Sequence, residues 1–399
     1  MKKILYIHHA GNIGGAGVSA YNTINLLSTK YNVVVLCPSS PRDFSDFLKS
    51  KQINVRTYDI PIGSVYYISG GVPIYSPVFV KGIVNIFRYR KSWEAIVKDE
   101  APDLVVVNSK ILSWFSLVTE NLKVKSVCFV RETRKYSFLN IWNSIHKYLL
   151  NKFTKVIFIS NYDEKCEGLE KNKATVVPNF LDLSEYVLEY SKKDLLNKFN
   201  LPHYGFNILF VGGMAKIKGV DVAINSLKYL TNYNVNLLIV GADKFSYRAE
   251  NSILDKLYNL IKKRYENKII KSINKNSLKK SIFFLGVQEN MAGVYALADV
   301  LIFPANYPHQ ARPAFEAGAL RKTVIMPDFE NTEEYVKNNT NGLTFKRRNS
   351  RSLAEKIAYL IDNPEVRTKL GDNNYENTVR NHVREVSERK IHEIIKEII

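Results

Sequence analysis

The sequence predicts an α/β protein built from two doubly wound, parallel-sheet halves. Three observations carry this expectation. Short apolar runs rich in branched residues alternate with helix-length amphipathic spacers along the whole chain. The alternation restarts near the middle. The chain has 399 residues, too many for one ordinary core, so two domains are the default.

The first series reads "KILYIHH", "NVVVLCP", "LVVVNS", "SVCFVRE" and "KVIFIS", and "ATVVPNFLD" closes it near residue 182. Runs such as "LVVV" are apolar at successive positions, as strands buried on both faces must be. The opening "MKKILYIHHAGN" has too short an apolar part for a signal peptide and ends in a glycine-rich turn, so it reads as a first strand. Residues 60–80 carry no Lys, Arg or Glu, but Pro61, Gly63, Gly70, Gly71, Pro73 and Pro77 exclude a stable spanning helix. The second series reads "NILFVGG", "NLLIVG", "SIFFLG", "DVLIFP", "TVIMP" and "GLTF". The join lies in 183–205, which contains a helix and a Pro-Gly exit. The division expected is 1–185 with a returning helix at about 380–399, and 186–379. Val386, Ile391, Ile394, Ile395 and Ile398 give the C-terminal segment a helical apolar stripe.

Lys and Arg total 57 against 38 Asp and Glu, a net charge of +19. Such an excess favours polyanions: phosphorylated substrates, an anionic membrane face or nucleic acid. No nucleic-acid-binding module is recognisable, so nucleic acid is not the expected partner. The spacer 244–280 concentrates Lys262, Lys263, Arg264, Lys268, Lys271, Lys275, Lys279 and Lys280. It reads as a solvated helical hairpin or as a basic surface facing membrane phosphates. Segment 60–93, apolar and aromatic and then basic at Lys81, Arg88, Arg90 and Lys91, has a similar pair of readings: buried packing of a long loop, or a contact for a lipid-linked or membrane-proximal acceptor. Cys37, Cys128 and Cys166 form neither a disulfide framework nor a metal spacing, which points to a reducing compartment.

Two glycine loops follow first strands. Gly14, Gly15 and Gly17 open a helix whose free amides would suit an anion. The loop mimics a dinucleotide fingerprint, yet the second strand ends "VVVLCPSS" with no carboxylate for a ribose, which weakens an oxidoreductase reading. The second loop, "ILFVGGMAKIKGVDVAINSL", places Gly212 and Gly213 at a strand end and Lys216 and Lys218 before Gly219 and the next helix. Lysines near a helix N-terminus oppose its dipole unless a ligand's phosphates lie between; otherwise they are solvated. In "FPANYPHQARPAFEAGA", residues 303–319, Arg312 and Glu316 stand four apart. They are either a helix salt bridge, contributing about 0.3–0.5 kcal/mol, or part of a ligand site.

The strings "GGMAKIKG", "VVPNFLD", "FFLGVQENMAGVYALADVLIFPA" and "EAGALRKTVIMPDFENTEEYVKNNTNGLTF" occur in the order and spacing of glycosyltransferase family 4. The chain resembles that family over essentially its whole length, most clearly from 206 to 345. The resemblance implies a GT-B fold: two facing Rossmann-like domains with a C-terminal helix crossing back, acceptor on the first domain and sugar nucleotide on the second. It implies retention of configuration, no metal and no cofactor beyond the nucleotide-diphosphate sugar; no Asp-x-Asp occurs in the chain. Glu316 matches the second of the family's paired glutamates, expected to accept the ribose hydroxyls. Pro308 occupies the place of the first, so His309, Gln310 and Ala311 would approach the sugar instead, and Arg312 would orient Glu316 or reach phosphate. Lys218 matches the diphosphate-binding lysine. Gly213 stands where the family has arginine, and Lys216 is the candidate to replace its charge. Arg131 and Glu132 occupy the place of the family's His and acid, as an acceptor-side catalytic pair or a surface ion pair. The expected partners are a nucleotide sugar and a glycan or lipid-linked acceptor, in the cytoplasm or peripheral at the inner membrane face. The alternatives are a nucleotide-sugar-binding protein without turnover, favoured by Pro308 and Gly213, and a sugar-nucleotide epimerase, for which the carboxylates are not evident.

Overall fold

A computed structural model describes residues 1–68, 74–134, 141–241 and 253–399. Two compact units emerge: residues 1–180 with 384–399, and residues 181–383.

The first unit holds a seven-stranded sheet, β1 (Lys3–Ile7), β2 (Asn32–Pro38), β3 (Asn54–Tyr58), β4 (Leu104–Val107), β5 (Ser126–Val130), β6 (Lys155–Phe158) and β7 (Ala174–Val176), in the order β3-β2-β1-β4-β5-β6-β7. All pairings are parallel; Ile4 to Ile7 of β1 lie beside Val33 to Leu36 of β2 on one side and Leu104 to Val107 of β4 on the other. Pleating sends alternate residues to opposite faces. Leu5 and Ile7 therefore enter one core with Trp93, Trp114 and Phe158, while Ile4 and Tyr6 enter another with Ile24, Phe44 and Ile157. The helix Arg384–Ile398 closes the second core through Ile391, Ile394, Ile395 and Ile398, and the Ser387 hydroxyl donates to the Pro178 carbonyl at 3.0 Å.

The second unit repeats the topology with six parallel strands, β8 (Phe206–Val211), β9 (Val235–Val240), β10 (Ile282–Gly286), β11 (Val300–Ile302), β12 (Thr323–Pro327) and β13 (Leu343–Phe345), ordered β10-β9-β8-β11-β12-β13. Strand order reverses between β1 and β4 in the first sheet and between β8 and β11 in the second. Those are the points where the loops diverge and leave a crevice at the strands' carboxyl ends.

Two segments differ from expectation and one is described only in part. β3 has no counterpart among the predicted strands: its burial is mostly solvent-facing, so the apolar pattern that marks its neighbours is missing. The described part of the 244–280 spacer is one helix, Ile253–Lys275, followed by a 3-10 turn at Leu278–Ser281; residues 244–252, where the other arm of the expected hairpin would fall, lie outside the described residues. Segment 60–93 divides. Val65 and Tyr67 are buried in the core, whereas Pro77 begins a 24-residue helix, Pro77–Glu100. Gly70, Gly71 and Pro73 lie outside the described residues. Among the described residues, no helix is long and apolar enough to cross a membrane.

Candidate functional site

In the second unit the loops after β8 and β11 touch at the point of reversal. Gly219 has φ +80°, and a Cβ there would sit 1.8 Å from the Pro304 carbonyl oxygen. Only glycine tolerates both the dihedral and the approach. Asn306 fastens the two loops: its amide donates to the Ile217 carbonyl at 3.0 Å and its side chain to the Lys216 carbonyl at 2.6 Å. This stitching aims Lys218 across the crevice, where its Nζ lies 2.5 Å from His309 Nε2 and 5.3 Å from the centre of the Phe303 ring. A Cβ on Gly212 would collide with the Lys218 stem at 2.8 Å, so that glycine makes room for the lysine. Burial lowers the Lys218 ammonium to about 8, and burial with the nearby Lys218 charge lowers His309 to about 3. At neutral pH His309 is uncharged and accepts from the ammonium. Lys216 takes a different course: it is exposed and lies 5.3 Å from the Tyr265 ring centre, on the helix Ile253–Lys275.

The loop between β11 and the helix Arg312–Ala319 carries the other predicted residues. His309 stacks on Phe303 at 6.3 Å between ring centres, and its carbonyl accepts from Asn331 at 3.2 Å. Gln310 accepts from the Tyr335 hydroxyl, and Ala311 is fully buried at the helix entrance. Arg312 donates through Nε to Glu316 Oε1 at 2.6 Å, so the i,i+4 pair forms. Tyr295 donates to Glu316 Oε2 at 2.7 Å. Burial, and next the Glu316 carboxylate, hold the Tyr295 and Tyr186 phenols above their usual range. Glu316 is thus a clamped carboxylate, 8% exposed: Arg312 and Tyr295 each hold one oxygen, and the Tyr186 hydroxyl adds a third hydrogen bond. Arg312 keeps Nη1 buried without a hydrogen-bond partner. A buried guanidinium donor left open is an anion-seeking group.

Gly14, Gly15, Gly17, Arg131 and Glu132 fall on the first unit. Gly14 and Gly15 begin the helix Gly14–Ser28, which has no side-chain cap and no acid in its first turn; a Cβ on either would meet open space. Gly17 instead packs on Phe44, where a Cβ would come within 3.3 Å. Arg131 is not a surface residue paired with Glu132. Its guanidinium donates at 2.7 Å to each of Asn108, Asn179 and Thr23. It ties the ends of β4 and β5 to the first helix and to the loop after β7. Glu132 caps the 3-10 turn Lys110–Phe115, accepting from Ser109 Oγ at 2.5 Å and the Lys110 amide at 2.9 Å. Burial raises its carboxyl pKa against those hydrogen bonds.

The Glycosyl transferases group 1 family matches residues 191–377, and Glycosyltransferase Family 4 matches residues 13–185. An uncharacterized glycosyltransferase of Methanocaldococcus jannaschii is 30% identical over 341 residues, covering 82% of this chain and 85% of the relative. The chain is a family 4-like GT-B glycosyltransferase. The transferase is also similar to the capsular polysaccharide biosynthesis glycosyltransferase CapM of Staphylococcus aureus, 26% identical over 51% of this chain and 50% of that protein. Among solved structures, the Anabaena protein HepE in complex with UDP-glucose superposes with a TM-score of 0.79 at 17% identity, over 100% of both chains. A glycosyltransferase of Rickettsia africae superposes at 0.78 and 18% identity, over 100% of this chain and 98% of that one.

Several residues that shape the transferase's sites escaped sequence reasoning. Tyr186 and Tyr295 reach Glu316 from segments remote in sequence, and no local pattern marks them. The pair "HH" at the end of β1 was visible but had no assigned role. Asn108 Nδ2 donates to His8 Nδ1 at 3.0 Å, while its Oδ1 accepts from the Tyr6 hydroxyl at 2.5 Å. His8 is fully buried, its Nε2 has no partner, and burial holds it well below its usual pKa; burial also lowers neighbouring His9 to about 4. His146, against Ser113 at 3.0 Å, is depressed in the same way.

These histidines are expected to make the transferase acid-sensitive. Their folded pKa values lie below the ordinary 6.5, so their contribution is fully present above that pH and is lost as pH falls toward the folded values. Each buried neutral histidine should cost about 1.4 kcal/mol per pH unit below 6.5. Thermal melts from pH 7 to 4.5 are expected to show a falling Tm, with a shallower slope for His146→Gln. Equal slopes would remove that histidine from the account.

Proposed function

We propose that this transferase moves a sugar from a nucleotide-diphosphate sugar to a glycan or lipid-linked acceptor, with retained configuration, in surface polysaccharide or glycoconjugate synthesis. It would act in the cytoplasm, at or near the inner face of the membrane. The observation that carries the reading is the set of cations at the β8–β11 crevice: Lys218, seated on Phe303 and His309, and Arg312 with an open buried donor. Both are poised for phosphate, and they would meet its charge without a metal ion. Glu316, held by Arg312 and Tyr295, is the acceptor for the ribose hydroxyls. Charge-assisted bonds of that kind contribute about 1.5–3 kcal/mol each.

In the reaction the bond from the anomeric carbon to the diphosphate oxygen breaks, and a bond to the acceptor hydroxyl oxygen forms on the same face. The hydroxyl proton passes to the departing phosphate oxygen, and nucleoside diphosphate leaves. Lys218 and Arg312 stabilise the charge that grows on that oxygen, which is where preorganised charge contributes most. His309, uncharged, orients the Lys218 ammonium beside the sugar. The role assigned to Arg131 is positioning, since its donors already hold the ends of β4 and β5.

The relatives favour this acceptor class: CapM is named for capsular polysaccharide biosynthesis, and another Staphylococcus aureus relative, 20% identical over 62% of this chain, for transfer of N-acetylglucosamine to poly(ribitol-phosphate). Pro308, standing where a glutamate is expected beside the donor sugar, favours a second reading, a nucleotide-sugar-binding protein without turnover. A thermal-shift panel of UDP-, GDP-, ADP- and CMP-sugars tests the donor site, because ligands that bind only the folded state raise its midpoint. One nucleotide class is expected to raise Tm, and Glu316→Ala to lose most of that rise; an undiminished rise in the variant would refute the ribose contact. Product analysis with acceptor present then separates turnover from binding alone.

A further inference from the structure

The helix Pro77–Glu100 carries two faces. Its inner face is seated firmly: Phe79, Ile86, Trp93 and Val97 are buried in the first unit's core, and a Cβ on Gly82 would lie 2.6 Å from the Ser64 carbonyl oxygen. The outer face of its first half is apolar and uncovered. Val80 and Val84 are 51% and 52% exposed, and Phe87 is 80% exposed, the spacing that places all three on one stripe. Tyr75, just before the helix, is 76% exposed. Lys81 and Arg88 are exposed on the flank of the same stripe, Lys91 is exposed on its line one turn beyond Phe87, and no carboxylate occurs between Ser76 and Trp93. Arg90 differs, being paired with Glu94 at 2.9 Å.

We propose that the outer face of this helix docks on an anionic lipid surface, lying in the interface with Val80, Val84 and Phe87 among the acyl chains and Lys81, Arg88 and Lys91 at headgroup phosphates. A helix lying on a membrane needs a rigid apolar stripe with cations at its border, and the stripe has both. The charge complementarity selects the occupant. A second copy of this chain would bring like charges against like, and a nucleic acid would have no use for aliphatic side chains at the centre of the contact. The proposal rests on the transferase reading only in setting a lipid-linked acceptor near that surface.

Co-sedimentation of the full chain with phosphatidylcholine vesicles, with and without phosphatidylglycerol, tests it. Binding to the phosphatidylglycerol vesicles at low salt is expected. The double variant Val84→Ser/Phe87→Ser should weaken it at least about tenfold, and Lys81→Ser and Lys91→Ser each by about fivefold. These side chains are exposed, so unchanged far-UV circular dichroism is expected and keeps the comparison fair. Absence of binding at low salt, or binding untouched by the serine variants, overturns the proposal, as does displacement by heparin that the Val84 and Phe87 changes leave unaltered. The nucleotide-sugar melts need no lipid, so failure of the donor assignment and failure of the docking face are read separately.

Discussion

Lys218→Met is expected to reduce kcat/KM for the nucleotide sugar by about 10²–10³-fold, the usual loss when one preorganised charge facing a developing oxyanion is removed. Methionine keeps the apolar stem that packs beside Gly212 and Phe303, so the loss isolates the ammonium. The ammonium is lowered to about 8 by burial, below its ordinary 10.5. In the free protein it is therefore a cost below pH 8 that fades as pH rises toward 10.5, and the variant should melt no lower than the parent at pH 7. Donor affinity should run the other way: it should hold below pH 8 and decline above it as the charge is lost, with the inflection absent in the variant. A variant that turns over normally, or loses its fold at pH 7, would remove Lys218 from the phosphate site.

The largest expected loss of stability lies in the first unit. Lys110 is fully buried and ion-paired with Glu167, which is 3% exposed and leaves Oε2 without a partner. Glu167→Ala strands the ammonium in the core and should cost about 3–5 kcal/mol, because the charge keeps its desolvation penalty and loses its counter-charge. For a unit of this size that lowers Tm by about 10 °C. The double replacement Lys110→Met/Glu167→Leu is expected to recover most of the loss, since two apolar groups leave nothing unpaired. Melting followed with a nucleotide sugar present should show the second unit still protected. A single-variant Tm within a degree or two of the parent would mean that solvent reaches the pair.

The two sheets were legible because parallel strands with both faces covered must be apolar at nearly every position, and "LVVV" and "NLLIV" satisfy that demand without reference to anything distant. β3 was not legible, since its exposed residues carry no such demand. In the second unit the loop glycines and Lys218 could be found from order and spacing. Their arrangement could not: the Cβ-free approach of Gly219 to Pro304 joins residues from two strands far apart in sequence. The Arg312–Glu316 pair could be read either as a helix salt bridge or as part of a ligand site. It is a salt bridge, and what distinguishes it is the second grip from Tyr295 and the open Nη1 of Arg312. Arg131 and Glu132 were identifiable as neighbours at a strand end, yet they do not act as a surface pair, because each is engaged by groups from other segments.

By itself the sequence determined the two α/β halves, the family and the positions of the loops at the strand ends, because strand burial, helix period and glycine turns are local demands on residue type. Only the tertiary structure decided which cation faces His309 and which lies over Tyr265, which carboxylate is clamped, and which side of the helix Pro77–Glu100 is left bare. Those outcomes depend on burial and on partners remote along the chain, and neither is encoded in any short stretch of it.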